Sequence, residues 1–261
     1  NEVSSSIEEQ GKLTEEISEA LEKAVTLVEV EDIYRPFKPK RKTRASVARD
    51  KGLEPLAEFI IEQNIDSDPE SEAEKYINSE KEIETADAAL QGAMDIIAED
   101  ISDNAELRKK IRALYEKAAK IESRATDEEA ETVYQNYYEF SEGVSRVAGH
   151  RILALDRGEK EGALKVSVVI DEESSSVCFS VAEKMFVKNN SRCGELVKTA
   201  AQDSCKRLIM PSVEREIRSE LTAKAAEGAI KVFSSNLRQL LLQPPVKNQI
   251  TLGFDPGYSH G

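Results

Sequence analysis

A mainly α-helical fold is what this sequence predicts, and three observations carry the prediction. Apolar residues recur three and four positions apart along most of the chain. Twelve Gly and eight Pro in 261 residues, with 33% charged residues, favour helices over a sandwich or barrel. Hydrophobic residues make up 39%, too many for wholesale disorder and enough, at this length, to bury a core in one or two domains.

The elements follow in order. Thr14-Glu15-Glu16 marks a helix start, and Leu13, Ile17, Leu21, Ala24 and Val28 repeat at helical spacing. Thr26-Leu27-Val28-Glu29 fits a capping box that resets the helix and carries it to about Tyr34. Arg35-Pro36-Phe37-Lys38-Pro39 is extended or turned, because proline lacks a donor and restricts the residue before it. Thr43 caps a short helix ending at Gly52, and Pro55 opens the next, whose stripe is Leu56, Phe59 and Ile60. Asp66 to Glu74 reads as an acidic loop and helix start. Two stronger amphipathic helices follow, one carrying Ala86, Leu90, Ala93, Met94, Ile97 and Ile101, the next Leu107, Ile111, Leu114, Tyr115, Ala118 and Ile121, with Asn104 as N-cap between them.

Tyr134, Tyr137, Tyr138 and Phe140 read as core and interface filling, with a base-stacking platform as the alternative. Leu164, Val166, Val168 and Ile170 alternate as a strand, so a small β element is expected near 151–170. Arg151 to Arg157 is either its hairpin partner across a tight turn at Gly158 to Gly162, or a short helix; so short a run does not decide. From Gly194 onward three stripes read as helical: Leu196 to Leu208, Val213 to Ala225 after Pro211-Ser212, and Ile230 to Leu241, with Pro244-Pro245 closing the helical part. Ile250 to Gly257 reads as a short strand running into a Gly/Pro turn, cut off from partners. With Asn1 in place of Met, the two ends read as those of an excised piece, with a boundary between 1–246 and 247–261.

A net charge of −14 argues against coating nucleic acid with the whole surface and leaves a local basic patch open. That patch is the segment from Lys38 to Lys51, which holds Lys38, Lys40, Arg41, Lys42, Arg44, Arg49 and Lys51 against the single acid Asp50. It reads as a phosphate-contacting surface, or as a solvated face paired with the acidic stretch from Glu62 to Glu131. Cys178, Cys193 and Cys205 are odd in number and widely spaced, which reads as reduced, buried thiols of a cytosolic protein. With only His150 and His260 besides, a zinc site is not expected. No Gly-Lys-Ser/Thr phosphate loop, Gly-x-Ser-x-Gly elbow, secretory signal or membrane-length apolar run occurs, so neither an enzyme, nor a metal or cofactor site, nor membrane contact is expected.

Four strings carry a resemblance. They are Val30-Glu31-Asp32-Ile33-Tyr34-Arg35-Pro36-Phe37-Lys38-Pro39-Lys40-Arg41-Lys42-Thr43-Arg44 with Gly52-Leu53-Glu54-Pro55-Leu56-Ala57; Gly149-His150-Arg151-Ile152-Leu153-Ala154-Leu155-Asp156-Arg157-Gly158-Glu159-Lys160-Glu161-Gly162; Val232-Phe233-Ser234-Ser235-Asn236-Leu237-Arg238-Gln239-Leu240-Leu241-Leu242; and Leu252-Gly253-Phe254-Asp255-Pro256-Gly257. In this order they resemble the N-terminal region of the Tex family of bacterial transcription accessory proteins. The resemblance implies a helical region with a helix-turn-helix element, followed in complete members by a YqgF-type, RNase H-like domain, helix-hairpin-helix elements and an OB-fold RNA-binding domain. It implies that 1–246 is the helical region and 247–261 the truncated first strand of the RNase H-like domain. Asp255 matches that domain's first acid, whose partner carboxylates fall beyond Gly261.

The function expected is a non-enzymatic scaffold fragment of a nucleic-acid-binding protein. Lys38, Lys40, Arg41, Lys42 and Arg44 are the expected contacts to RNA or DNA backbone, without sequence preference. In the full-length protein the partners expected are nucleic acid and the transcription machinery. The alternatives are a purely structural protein–protein module, and part of a metal-dependent nuclease that is inactive in this form.

Overall fold

The computed structural model describes residues 2–38, 42–244, 247–250 and 252–254. It is mainly α-helical with one small antiparallel sheet. Helices α1 (Glu2–Glu9), α2 (Glu15–Lys23) and α3 (Leu27–Tyr34) open the chain. The Thr14 hydroxyl accepts from the Ile17 amide, and Thr26 with Glu29 closes the expected capping box. A 3-10 turn, Arg35–Phe37, follows α3. Helix α4 (Arg44–Asp50) is capped reciprocally by Thr43 and Ser46. It ends as a Schellman motif, with Gly52 N–H donating to the Arg49 carbonyl at 2.8 Å and Leu53 N–H to the Ala48 carbonyl at 3.1 Å. Gly52 takes φ +83°, the left-handed region that favours glycine.

Helices α5 (Glu54–Glu62), α6 (Pro69–Glu74), α7 (Ala86–Ser102) and α8 (Ala105–Ala118) then build the body. The sequence pattern carried α8 on to Ile121, but the helix stops at Ala118 and Ile121 belongs to a strand. Spacing from Ala118 suits a helix and alternation with Ser123 suits a strand equally well. Pairing decides, and it comes from distant residues. Strand β1 (Lys120–Ala125) lies between β2 (Glu139–Gly143) and β3 (Leu164–Val169), antiparallel to both, with Ile121 opposite Glu142 and Val168. The β element thus extends well upstream of 151–170. The open choice at 151–157 resolves as helix α9 (Gly149–Lys160), which buries Ile152 and Leu155 three residues apart.

Helix α10 (Glu172–Phe186) had no counterpart in the sequence pattern. Its serine run hides it, because Ser competes with helix bonding from non-helical conformations. Asp171 caps it, accepting from the Ser174 amide at 2.7 Å, and Cys178 and Ala182 give it a buried i, i+4 edge. Helix α11 (Arg192–Asp203) runs through a π-helical segment, Ser204–Ile209, into α12 (Met210–Leu241). The second and third predicted stripes are therefore one helix of 32 residues. Pro211 does not break it, because Pro sits in the first turn and the wider π bonds fall immediately before it.

The larger core joins α4, α5, α7, α8, α10, α11 and the first half of α12, with Leu56, Ile60, Ile96, Ile97, Ile111, Val197, Ile209 and Val213 inside. A smaller core lies between the sheet, α9 and α12, around Ile121, Tyr134, Ile152, Leu155, Leu164 and Ala225. Tyr137, Tyr138 and Phe140 pack against it, as filling rather than as an open platform. Beyond Ala225, α12 leaves the body, and Ile230, Phe233, Leu237, Leu240 and Leu241 are exposed. Ile250, Leu252 and Phe254 are exposed and in no strand, while Asp255, Pro256 and Gly257 lie outside the described residues.

Candidate nucleic-acid interface

The basic segment divides into two parts. At its far end, Arg49 faces α7, with Nη1 2.7 Å from Glu99 Oε2, Nη2 bonded to Asp100, and Glu54 3.6 Å away. Burial opposes the Arg49 charge, but the bond to Glu99 and the charge of Asp100 outweigh it and hold the guanidinium above its usual pKa. Lys51 Nζ sits 3.3 Å from the Glu82 carboxylate and donates to the Glu82 carbonyl at 3.2 Å. These two cations serve the fold, and of their partners Glu82, Glu99 and Asp100 lie within the acidic stretch from Glu62 to Glu131, while Glu54 precedes it.

The near end is different. Lys38, Lys42 and Arg44 are exposed, and no described hydrogen bond or ion pair engages their side chains. Lys40 and Arg41 lie outside the described residues. Arg44 is the first residue of α4, and with Lys42, Lys51 and Asp95 it edges an open groove floored by Ala48 and Leu53. Gly92 on α7 permits this elbow to pack, since a Cβ there would stand 2.4 Å from Leu53 Cδ1. Asp95 is partly buried, and that raises its pKa against the lowering charges of Arg207 and Arg44.

Lys38 belongs to a second cleft of about 340 Å³, together with Arg35, Arg207 and Arg215. Those three arginines are functional candidates that sequence reasoning missed. Arg207 and Arg215 lie some 170 positions from Lys38 and carry no local signal. Arg207 is strapped to Asp203 at 2.6 Å and Asp95 at 3.2 Å, whereas the one described bond of Arg215 is to its own helix, at the Pro211 carbonyl. The segment thus presents cations to two grooves on either side of the α7 carboxylates Asp95 and Glu99.

Helices α4 and α5, joined through Lys51-Gly52-Leu53, have the helix–tight turn–helix form. The exposed positions of α5 are Glu54, Pro55, Glu58, Ile61 and Glu62, an acidic face that phosphates repel. The three cysteines are buried and free, as expected. Burial pushes the Cys178 thiol up to about 11 and Cys205 up to about 12, far from the thiolate a nucleophile needs. Among the described residues no three His, Cys, Asp or Glu side chains group to hold a metal, and no helix is long and apolar enough to cross a membrane.

Comparison with known proteins places the chain. Residues 64–233 match a family model described as Tex central region-like. Over 98% of its length the chain is 47% identical to the uncharacterized protein YdcI of Bacillus subtilis, covering 36% of that protein. It is 34% identical to Protein tex of Bordetella pertussis, again over 98% of the chain and covering 34% of that protein. It is also 32% identical to human S1 RNA-binding domain-containing protein 1, over 98% of the chain and 27% of that protein. The chain therefore spans about a third of the length of the curated bacterial relatives it matches. With the family match across well over half its residues and the helical architecture in agreement, this chain belongs to the Tex family.

Proposed function

We propose that this chain is a helical scaffold of a Tex-type transcription accessory protein, without catalytic chemistry of its own, and that Lys38, Lys40, Arg41, Lys42 and Arg44 contact nucleic-acid backbone. The observation that carries the contact is the exposure of Lys38, Lys42 and Arg44 with no described ion pair, in a chain where Arg49 and Lys51 are neutralised by the fold. Contacts of this kind position a strand without reading its sequence. The acidic outer face of α5 favours docking through the N-terminal end of α4 over insertion of α5 into a major groove. The name of one relative, the human S1 RNA-binding domain-containing protein 1, supports nucleic acid as the partner class in the longer protein. The scaffold reading rests on α12, which is tied to both cores and carries an uncovered apolar face beyond them. The division at 246, with an RNase H-like domain following, is part of the same proposal.

Fluorescence anisotropy with labelled single-stranded RNA, single-stranded DNA and duplex DNA tests it. Binding in the range of about 10⁻⁴–10⁻⁶ M that falls steeply with added salt is the expected result. Absence of binding at low salt removes the basic segment from the function. The protein–protein reading, favoured by the same α12 face, then stands alone.

A further inference from the structure

Neither hydrophobic core takes a side chain from residues 2–38. Within α1, α2 and α3 the only buried residues are Ile7 and Asp32. The three helices nevertheless hold to one another, with Ser6 Oγ 2.9 Å from Tyr34 Oη and Gln10 Nε2 donating to the Phe37 carbonyl at 2.9 Å. The described side-chain bonds that join them to the body centre on charged groups. Asp32 Oδ1 accepts from Arg108 Nε at 2.7 Å and its Oδ2 from Arg112 Nη2 at 2.8 Å. Arg112 Nη2 also reaches Glu216 at 2.9 Å, and Arg108 Nη2 bonds to Glu216 and to Ser212 Oγ. Arg35 donates to Ser212 Oγ at 3.3 Å and stands 3.7 Å from Glu216. Lys109 adds an exposed contact to Glu29 at 3.3 Å.

This arrangement is tight in geometry, and neither hydrophobic core extends into it. Arg108 is wholly buried, yet its Nη1 has no hydrogen-bond partner among the described residues. Three guanidinium groups share two carboxylates, Asp32 and Glu216. When such an interface separates, water replaces each ion pair, so opening costs far less than parting an apolar interface of equal size. Global unfolding must in addition expose both cores. We propose that residues 2–38 form a lobe that opens from the body as a unit, with Asp32, Arg35, Arg108, Arg112 and Glu216 as its latch. The cleft beside Lys38 lies across this seam, with Glu31, Tyr34, Arg35 and Lys38 on the lobe and Ser102, Arg207, Ser212 and Arg215 on the body. Opening therefore widens it.

The test uses the 261-residue chain with spin labels at Glu19→Cys on α2 and Lys117→Cys on α8, the native thiols being buried. Distance distributions by pulsed electron–electron resonance are compared with and without Asp32→Asn. Two distance populations are expected, with the longer one growing about tenfold relative to the shorter in Asp32→Asn, since one charged partner of the bonded arginines is removed. Hydrogen exchange read on the same pair separates opening from general loosening: α3 amides should speed up in Asp32→Asn while α7 and α11 keep their rates. A single distance that Asp32→Asn leaves unmoved overturns the proposal. So does equal acceleration of α3, α7 and α11, which would make the network part of one cooperative unit.

Discussion

Replacing Lys40, Arg41, Lys42 and Arg44 together by Ala should flatten the salt dependence of nucleic-acid binding by an amount that counterion release fixes from the proposed contacts. The segment from 38 to 51 holds seven cations; Arg49 and Lys51 are committed to Glu99, Asp100 and Glu82, and the other five are the proposed contact set. Each neutralised phosphate of a single strand contributes about −0.7 to the slope of log K against log salt, so five contacts give about −3.5 and all seven would give about −4.9. The fourfold variant keeps only Lys38 and should fall to about −0.7, with binding weakened most at low salt. The assay is anisotropy of a labelled single strand across a salt series, with circular dichroism confirming that the helices persist. An informative companion is Lys51→Ala, which should leave the slope unchanged because that cation is already neutralised. A slope that does not move in the fourfold variant refutes the reasoning. A loss in Lys51→Ala as large as that from removing Lys42 alone refutes it equally, since the intramolecular pair would then not be holding the charge.

Other outcomes follow from the packing. Ile97→Ala, at a position 1% exposed, should cost about 2–5 kcal/mol in urea unfolding, because the cavity in the α7 layer collapses only partly. Gly52→Ala should cost about 1 kcal/mol or somewhat more, since φ +83° strains any residue with a Cβ at the α4–α5 turn; an unchanged midpoint would mean the turn re-forms differently. Cys178 and Cys205 should resist alkylation at pH 8 until the chain unfolds. Their thiols are held up to about 11 and about 12 from a usual value of 9.0, so the unfolded chain loses those protons first and stability should decline as pH rises from about 9 toward 12. Phe233→Ser on the exposed stretch of α12 should shift stability by no more than about 0.5 kcal/mol, and a larger loss would show that this face is covered within the chain.

Local chemistry made much of the fold legible before any coordinates. Thr14, Thr26, Thr43 and Asn104 mark helix starts because a side-chain oxygen there satisfies an amide that the helix itself cannot. Gly52 marks an end because the Schellman turn needs a left-handed residue. The failures share one cause. Ile121 left its helix for a strand because Glu142 and Val168, 21 and 47 positions away, stand opposite it in pairing that no local window contains. Helix α10 was hidden because its serines vote against helix and only the burial of Cys178 and Ala182 overrides them.

The candidate site follows the same division. The sequence by itself determined that a cationic run interrupts an acidic chain, that the chain is helical, and through four strings in order, that it resembles the Tex family. Those are properties of composition, spacing and neighbouring residues, which a linear string contains in full. Which cations are free was decided only by the tertiary structure, because the charge on Arg49 or Lys51 is cancelled by carboxylates 31 to 51 positions away. The gathering of Arg35, Arg207 and Arg215 beside Lys38, and the ionic seam that Asp32 makes with Arg108 and Arg112, are likewise products of helices crossing in space. Charge acts through distance, and distance between remote residues is what folding creates.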